Sequence, residues 1–201
     1  MKYFISLGMY DGTVLEIAKK AYPDFDYYIG FEPIPLLYEK SVEKFCGHSN
    51  IILYNKAVSI SDKKNEMFYV GYSEDAPYYI NQGSSLMKTK ISGNIDKNNF
   101  VLVETIDFSK FIFDNFHIDD LIVLDIDIEG KEYDVLWHLI NTGAIKYVNN
   151  IYCEWHYKKI GLIKNKHKTL IKHLNKLGFG LTGKIDDFDI NFRNLDERYN
   201  K

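Results

Sequence analysis

Short apolar runs alternate with segments of helical periodicity along most of the chain. The runs predict strands at 3–7, 27–31, 51–54, 121–124 and 147–152. Between them, apolar residues recur every three or four positions, which predicts helices at about 14–21, 36–45, 133–140 and 170–177. Strands that alternate with helices in this way are typical of an α/β protein whose parallel sheet is covered on both faces.

The alternation is interrupted between residues 57 and 106. Apolar runs at 67–70 and 101–103 indicate extra strands, and the polar, glycine-containing segment between them predicts a long loop at about 72–99. Loops of this length inside a compact domain are usually functional or mobile, so we interpret 72–99 as an inserted lid or substrate-recognition segment. The tail predicts a hairpin at 179–182 and 188–192. No boundary divides the chain, so we expect one domain over 1–201.

Composition and charge exclude several classes of partner. The net charge of -3 provides no basic excess for a phosphate backbone, so no nucleic-acid partner is expected. No apolar run approaches the roughly 20 residues of a membrane span. The cysteines, Cys46 and Cys153, form no CxxC pair, which argues against zinc and fits a reduced, cytoplasmic protein.

A glycine-containing turn directly follows the first predicted strand and opens a helix. Its residues are Gly8, Met9, Tyr10, Asp11 and Gly12. Such glycines let the backbone approach a ligand closely, and the helix start offers N–H groups to an anion. Glu32 ends the second predicted strand, about 20 residues later, where doubly wound folds bind the ribose of an adenosine. The GxxxG spacing, rather than GxGxxG, disfavours a dinucleotide.

Acidic residues alternate at the end of the most apolar predicted strand. Asp125, Asp127 and Glu129 have strand spacing, so we expect them to share one face, at the edge where α/β sheets bind ligands. Glu154 and His156 alternate in the same way after the next strand. A histidine can take up a proton near neutral pH, so we predict that His156 is a general base oriented by Glu154 or Asp127.

Seven segments, in order, resemble the FkbM-type methyltransferases. They are Gly8-x-x-x-Gly12, Phe31-Glu32-Pro33, 55–59 (NKAVS), 84–86 (SSL), 105–107 (TID), the 127–132 segment (DIEGKE) and Glu154-x-His156. The resemblance implies a class I methyltransferase fold, which is a Rossmann-like three-layer αβα sandwich with a mostly parallel seven-stranded sheet. It also implies S-adenosyl-L-methionine-dependent O-methylation of a hydroxyl, in many relatives on a sugar or a polyketide.

The resemblance also implies roles for individual residues. The glycine turn would bind the methionine part of the cofactor, Glu32 and the adjoining Pro33 the ribose, and the region of Ala57 the adenine. From their place at the strand end, we further predict that Asp127 and Glu129 position the acceptor hydroxyl and the cofactor. The expected partner is therefore a small-molecule or glycan acceptor.

Two positions depart from the family pattern. Ser6 stands where the family usually has an acid, and Asp125 stands where it often has a lysine. The principal interpretation assigns no metal ligand. The added acid nevertheless leaves open a metal-assisted O-methyltransferase with Asp125, Asp127 and Glu154 as ligands, because hard cations prefer clustered carboxylates. A non-catalytic binding protein of the same fold is the second alternative.

Overall fold

A computed structural model describes residues 1–71, 81–91 and 95–179. In chain order the elements are β1 (Lys2–Leu7), α1 (Thr13–Ala21), β2 (Tyr27–Phe31), α2 (Pro35–Lys44), β3 (Ile51–Tyr54), β4 (Ala57–Ser59), β5 (Lys63–Gly71), β6 (Asn81–Ser85), β7 (Ile95–Asp107), α3 (Phe108–Asn115), β8 (Leu121–Ile126), α4 (Glu132–Thr142), a 3₁₀ helix (Ala144–Tyr147), β9 (Asn150–Cys153) and α5 (Lys164–Lys176).

The main sheet contains five strands in the order β3-β2-β1-β8-β9, and all its neighbouring strands are parallel. Leu7 at the end of β1 lies between Phe31 of β2 and Ile126 of β8, so the carboxyl ends of these strands meet at one edge. This strand order brings the turn after β1 next to the segments that follow β2 and β8. The edge is therefore the place for a ligand.

Helices cover the main sheet on both faces. On one face α1 packs through Val14, Leu15 and Ala18 against a cluster that includes Phe4 of β1 and Val123 of β8. On the other face the larger cluster joins the sheet to the later helices, through residues such as Phe108, Ile112, Leu136, Leu139, Leu170 and Leu174. Because both faces are covered, β8 is buried at every position after Leu121. The predicted α/β architecture with a mostly parallel sheet is confirmed.

A second sheet, in the order β4-β7-β5-β6, fills the interruption in the α/β alternation. The strands expected at 67–70 and 101–103 lie within the longer β5 and β7. The expected loop at 72–99 is not continuous, because 81–85 forms β6 and β7 begins at Ile95. Residues 72–80 and 92–94, and with them the predicted lid, lie outside the described residues.

Three further details differ from the sequence prediction. Helix α3 was not predicted; it is short, and the Asp107 side chain caps it by accepting a hydrogen bond from the backbone N–H of Lys110. Strand β9 begins only at Asn150, because 144–147 forms a 3₁₀ helix. The described part of the main sheet has five strands rather than seven, and the predicted hairpin lies beyond residue 179, outside the described residues.

Across the described ranges, no helix combines the length and apolar character that crossing a membrane requires.

Candidate functional site

A cavity of about 660 Å³ opens at the carboxyl edge of the main sheet. The turn after β1, the segment after β2 and the region of Ala57 line it, together with Asp127, Glu129 and Glu154. Each of these segments follows a strand of the sheet or begins β4, so the fold itself brings them together. The cavity therefore lies where the sequence predicted a ligand.

The turn after β1 is shaped by residues with positive φ. Gly8 has φ 92°, and a Cβ atom there would overlap the backbone carbonyl oxygen of Asp127. The backbone N–H groups of Gly8 and Met9 both donate to the carbonyl oxygen of Phe31, at 3.1 and 2.9 Å. The turn is thus held against β2 on one side and the end of β8 on the other. Only a residue without a side chain fits at this crossing point.

Backbone N–H groups hold the Glu32 side chain in place at the cavity. Its carboxylate accepts hydrogen bonds from the backbone N–H groups of Tyr10, at 3.1 Å, and Ile34, at 2.9 Å. Only 5% of the residue is exposed, and burial, with a contribution from the charge of Asp127, raises the pKa of Glu32 to about 8. Because a carboxylate offers about four acceptor positions, two remain for a ligand that donates hydrogen bonds.

His156 lies behind the acidic residues of the cavity and is fully buried. Its Nδ1 is 2.8 Å from Oε1 of Glu132, which is also fully buried and begins α4. The same oxygen accepts hydrogen bonds from the backbone N–H groups of Ile128 and Gly130. Glu132 therefore ties the loop after β8 to the segment after β9. Glu132 falls inside the 127–132 segment of the resemblance, but no local pattern in the sequence indicates this contact with His156.

Three further carboxylates surround the other ring nitrogen. Nε2 of His156 is 3.1 Å from Oε1 of Glu154, 3.2 Å from Oε2 of Glu129 and 3.7 Å from Oδ1 of Asp127. Burial alone would lower the pKa of His156, but the hydrogen bond with Glu132 and its charge, with Glu154 and Glu129 adding to them, raise this pKa to about 10. In the free protein the imidazole is therefore protonated at neutral pH.

Two lysines, Lys90 and Lys159, pair with the carboxylates around His156. Neither was predicted from the sequence. Lys90 is only 4% exposed, and its Nζ donates to the Glu129 carboxylate and to the carbonyl oxygen of Gly83. Lys159 lies 3.3 Å from Oε1 of Glu154 and 3.9 Å from Oε2 of Glu129. Both lysines line the cavity. A lysine is usually exposed, so nothing in the local sequence marks either one.

The predicted site residues fall into three groups. Lining the cavity are Gly8, Met9, Tyr10, Asp11, Glu32, Pro33, Ala57, Asp127, Glu129 and Glu154. Gly12 shapes the turn instead, with φ 82° immediately before α1. His156 is absent from the described residues that line the cavity, because the three carboxylates lie between its ring and the open space. The role of His156 as a general base stays a prediction, and three carboxylates lie within 3.1–3.7 Å of its Nε2.

The two positions that depart from the family pattern contact each other. Ser6 and Asp125 are neighbours in the β1–β8 pairing, and the Ser6 hydroxyl donates to Oδ2 of Asp125 at 3.0 Å. Asp125 is 2% exposed. The closest group of potential metal ligands in the described part of the chain consists of Asp127, Glu129 and His156, so Asp125 and Glu154 fall outside it. Of the three ligands expected for the metal-assisted alternative, only Asp127 belongs to this group.

Among known proteins, the chain matches one family. The curated proteins and the solved structures yield no match. A model of the methyltransferase FkbM domain matches residues 6–181, a range that contains the glycine turn, Glu32 and the whole acidic cluster around His156. The match confirms the resemblance seen in the sequence, and the chain belongs to the FkbM methyltransferase family.

Proposed function

We propose that this methyltransferase transfers the methyl group of S-adenosyl-L-methionine to a hydroxyl oxygen of a sugar, a glycan or another small polar acceptor. The observation that carries the proposal is that one cavity is lined both by the glycine turn with Glu32 and by Asp127, Glu129 and Glu154. The first group, the cofactor side, suits an adenosine and an amino-acid group, and the second group, the acceptor side, suits a hydroxyl.

The cofactor side supports the first half of the proposal. Glu32 retains acceptor positions for the two ribose hydroxyls, and the backbone of the glycine turn can approach the methionine part closely. Apolar residues that suit an adenine ring continue the same wall; they include Ile34, Leu37, Ala57, Val58 and Phe68. Asp11 lines the cavity near the turn and offers a carboxylate to the cofactor's ammonium group.

The acceptor side supports the second half. Asp127, Glu129 and Glu154 supply hydrogen-bond acceptors, and Lys90 and Lys159 supply donors within the same wall. A sugar hydroxyl both donates and accepts, so a wall of mixed charge suits a polyol better than an apolar acceptor. This polarity favours a sugar or glycan over a hydrophobic polyketide.

Methyl transfer to oxygen requires alignment and removal of one proton. The sulfonium carries the reactive methyl group, so the protein aligns the hydroxyl oxygen, the methyl carbon and the sulfur in one line. We assign the contact with the hydroxyl proton to the Asp127 carboxylate, because Asp127 lines the cavity and 29% of its side chain is exposed. His156 then holds the carboxylates in place from behind and does not itself touch the acceptor.

Cofactor binding gives the first prediction. Calorimetry above pH 8, where Glu32 is ionised, should detect S-adenosylhomocysteine binding and no NAD binding, and Glu32→Ala should weaken binding by about 1.5–3 kcal/mol, as expected for hydrogen bonds to a charged group. Glu39→Ala on the exposed side of α2 is the control and should bind normally. Equal affinities for the wild type and Glu32→Ala would remove Glu32 from the ribose role.

The raised pKa of Glu32 gives the second prediction. Below pH 8 the free carboxyl group is largely protonated, whereas the ribose hydroxyls bind best to the ionised form. Ligand affinity should therefore increase with pH, by about tenfold between pH 6 and pH 7, and level off above pH 8. The Glu32→Gln variant cannot ionise and should lose this dependence. A wild-type affinity that is flat from pH 6 to pH 8 would contradict the prediction.

Turnover itself is tested by methyl release against a panel of monosaccharides, nucleotide sugars and oligosaccharides, with apolar phenols for comparison. We expect transfer to at least one sugar hydroxyl and none to the phenols. Cofactor binding without transfer to any member of the panel would contradict the proposed activity and favour the non-catalytic alternative.

A further inference from the structure

The side chains of Asp127 and Glu129, which line the cavity, converge with the buried ring of His156. One potential ligand atom from each lies within 4.8 Å of the others. Nε2 of His156 is 3.2 Å from Oε2 of Glu129 and 3.7 Å from Oδ1 of Asp127. Ligands bound to one cation at about 2.0–2.2 Å are about 3–3.6 Å apart, so small shifts would let all three bind the same ion.

Two of these atoms are buried without a hydrogen bond. Among the residues that the structure describes, neither Nε2 of His156 nor Oδ1 of Asp127 has a partner in hydrogen-bonding geometry. The His156 side chain is fully buried, and Nε2 is directed at the carboxylates. Buried polar atoms without a partner are costly, and a bound cation would satisfy both at once.

The opposite ring nitrogen has the partner that metal-binding histidines usually have. Nδ1 is 2.8 Å from Glu132, whose oxygen is also held by the backbone N–H groups of Ile128 and Gly130. A carboxylate in this position accepts the Nδ1 proton, and a metal ion that displaces the Nε2 proton would then bind the Nε2 lone pair. The ring is therefore already oriented for coordination, with Nε2 facing Asp127 and Glu129.

The charges of the cluster are consistent with a divalent cation. Four carboxylates surround the imidazole, and the ammonium groups of Lys90 and Lys159 offset two of them. With a neutral imidazole, two negative charges remain, which one divalent cation would balance. Lys90 contacts Oε2 of Glu129, which is also the oxygen nearest Nε2 of His156, so a metal ion would share the Glu129 carboxylate with Lys90.

We propose that His156, Asp127 and Glu129 bind one divalent first-row transition-metal ion of the Mn²⁺ or Zn²⁺ type. The imidazole ligand favours these ions over Mg²⁺ and Ca²⁺, which prefer sites made only of oxygen ligands. Asp127 and Glu129 also line the cavity, so the ion would lie next to the acceptor hydroxyl and would lower its pKa. This catalytic role rests on the proposed function, whereas the binding itself does not.

The test measures metal binding without cofactor or acceptor. Wild-type protein is dialysed against a chelator and then titrated with Mn²⁺, followed by electron paramagnetic resonance, and with Zn²⁺, followed by calorimetry. We expect one equivalent of either ion to bind, and Mg²⁺ to bind more weakly. Asp127→Asn, Glu129→Gln and His156→Gln should each weaken binding by at least about tenfold.

Matched controls separate the site from general effects. His138→Gln alters a histidine–carboxylate pair with Asp107, and Asp134→Asn alters a half-exposed aspartate that is paired with Lys131. None of these four residues is among those that line the cavity, so both variants should bind metal like the wild type. Circular dichroism identifies any variant that does not fold. If one of the other site variants fails to fold, metal binding by Asp127→Asn, which keeps the size and shape of the side chain, decides the test.

The outcomes distinguish this inference from the proposed activity. No binding of Mn²⁺ or Zn²⁺ by folded wild-type protein would overturn the metal site, as would equal binding by the wild type and the folded Asp127→Asn variant. Methyl transfer that continues fully in chelator would overturn the catalytic role alone. Metal binding by a protein that methylates nothing would leave the site intact and contradict the proposed function instead.

Discussion

Asp127→Asn is expected to lower kcat by about 10²–10⁴-fold, the usual contribution of a group that assists proton transfer, while S-adenosylhomocysteine affinity stays close to that of the wild type. Asp127 lines the cavity next to the glycine turn, which we propose binds the methionine part of the cofactor. Asparagine keeps the size of the side chain but cannot accept a proton or bind a cation strongly. Single-turnover methyl transfer under saturating cofactor measures the chemical step directly.

The control for this experiment is Asp134→Asn in α4, which removes a carboxylate that is paired with Lys131 at the surface. It should retain the wild-type rate. If Asp127→Asn also retains it, the acceptor does not bind at this wall, and the assignment of the reaction to Asp127, Glu129 and Glu154 is wrong. If the variant instead loses cofactor affinity by the same factor as kcat/KM, Asp127 acts in cofactor binding rather than in transfer.

The second large effect concerns stability. His156→Ala, measured in chelator, should lower the free energy of unfolding by about 3–5 kcal/mol, because it removes the positive charge from the centre of four carboxylates and leaves Glu132 buried without it. For a domain of this size that loss lowers Tm by on the order of 10 °C. Chemical and thermal unfolding followed by circular dichroism measure the change.

A double-mutant cycle identifies the cause of that loss. Adding Glu132→Gln to His156→Ala removes the unpaired buried charge and should recover part of the lost stability, whereas Glu132→Gln alone should destabilise. His138→Ala, which breaks a partly exposed pair with Asp107, should cost less than about 1 kcal/mol. Additive effects of the two site mutations would show that the Glu132–His156 pair is not the source of the stability.

Much of the site's framework could be predicted from short stretches of sequence. The apolar runs at 3–7, 27–31 and 121–124 correspond closely to β1, β2 and β8, because a strand buried on both faces needs apolar side chains at nearly every position. Gly8 and Gly12 mark the turn, since both have positive φ. Glu32 could be found from its spacing after that turn.

Other features had no local signal. The interpretation of 72–99 as one loop failed at 81–85 and 95–99, where polar residues form strands that are stabilised by pairing with β5 rather than by their own pattern. Helix α3 is only eight residues long, too short for a clear helical period. Lys90 lies 39 positions before its partner Glu129, so only the folded chain shows that they are paired.

The sequence by itself determined the family, the order of strands and helices around the cavity, the glycine turn and the acids at the strand ends, because these depend on local periodicity, backbone freedom and motif spacing. Tertiary structure decided what those acids do. His156, which the sequence suggested as a base, is buried behind Asp127, Glu129 and Glu154 and is held by Glu132 from α4. The pKa of a side chain and its access to ligands depend on burial and on charges from distant segments, and these exist only once the elements have packed together.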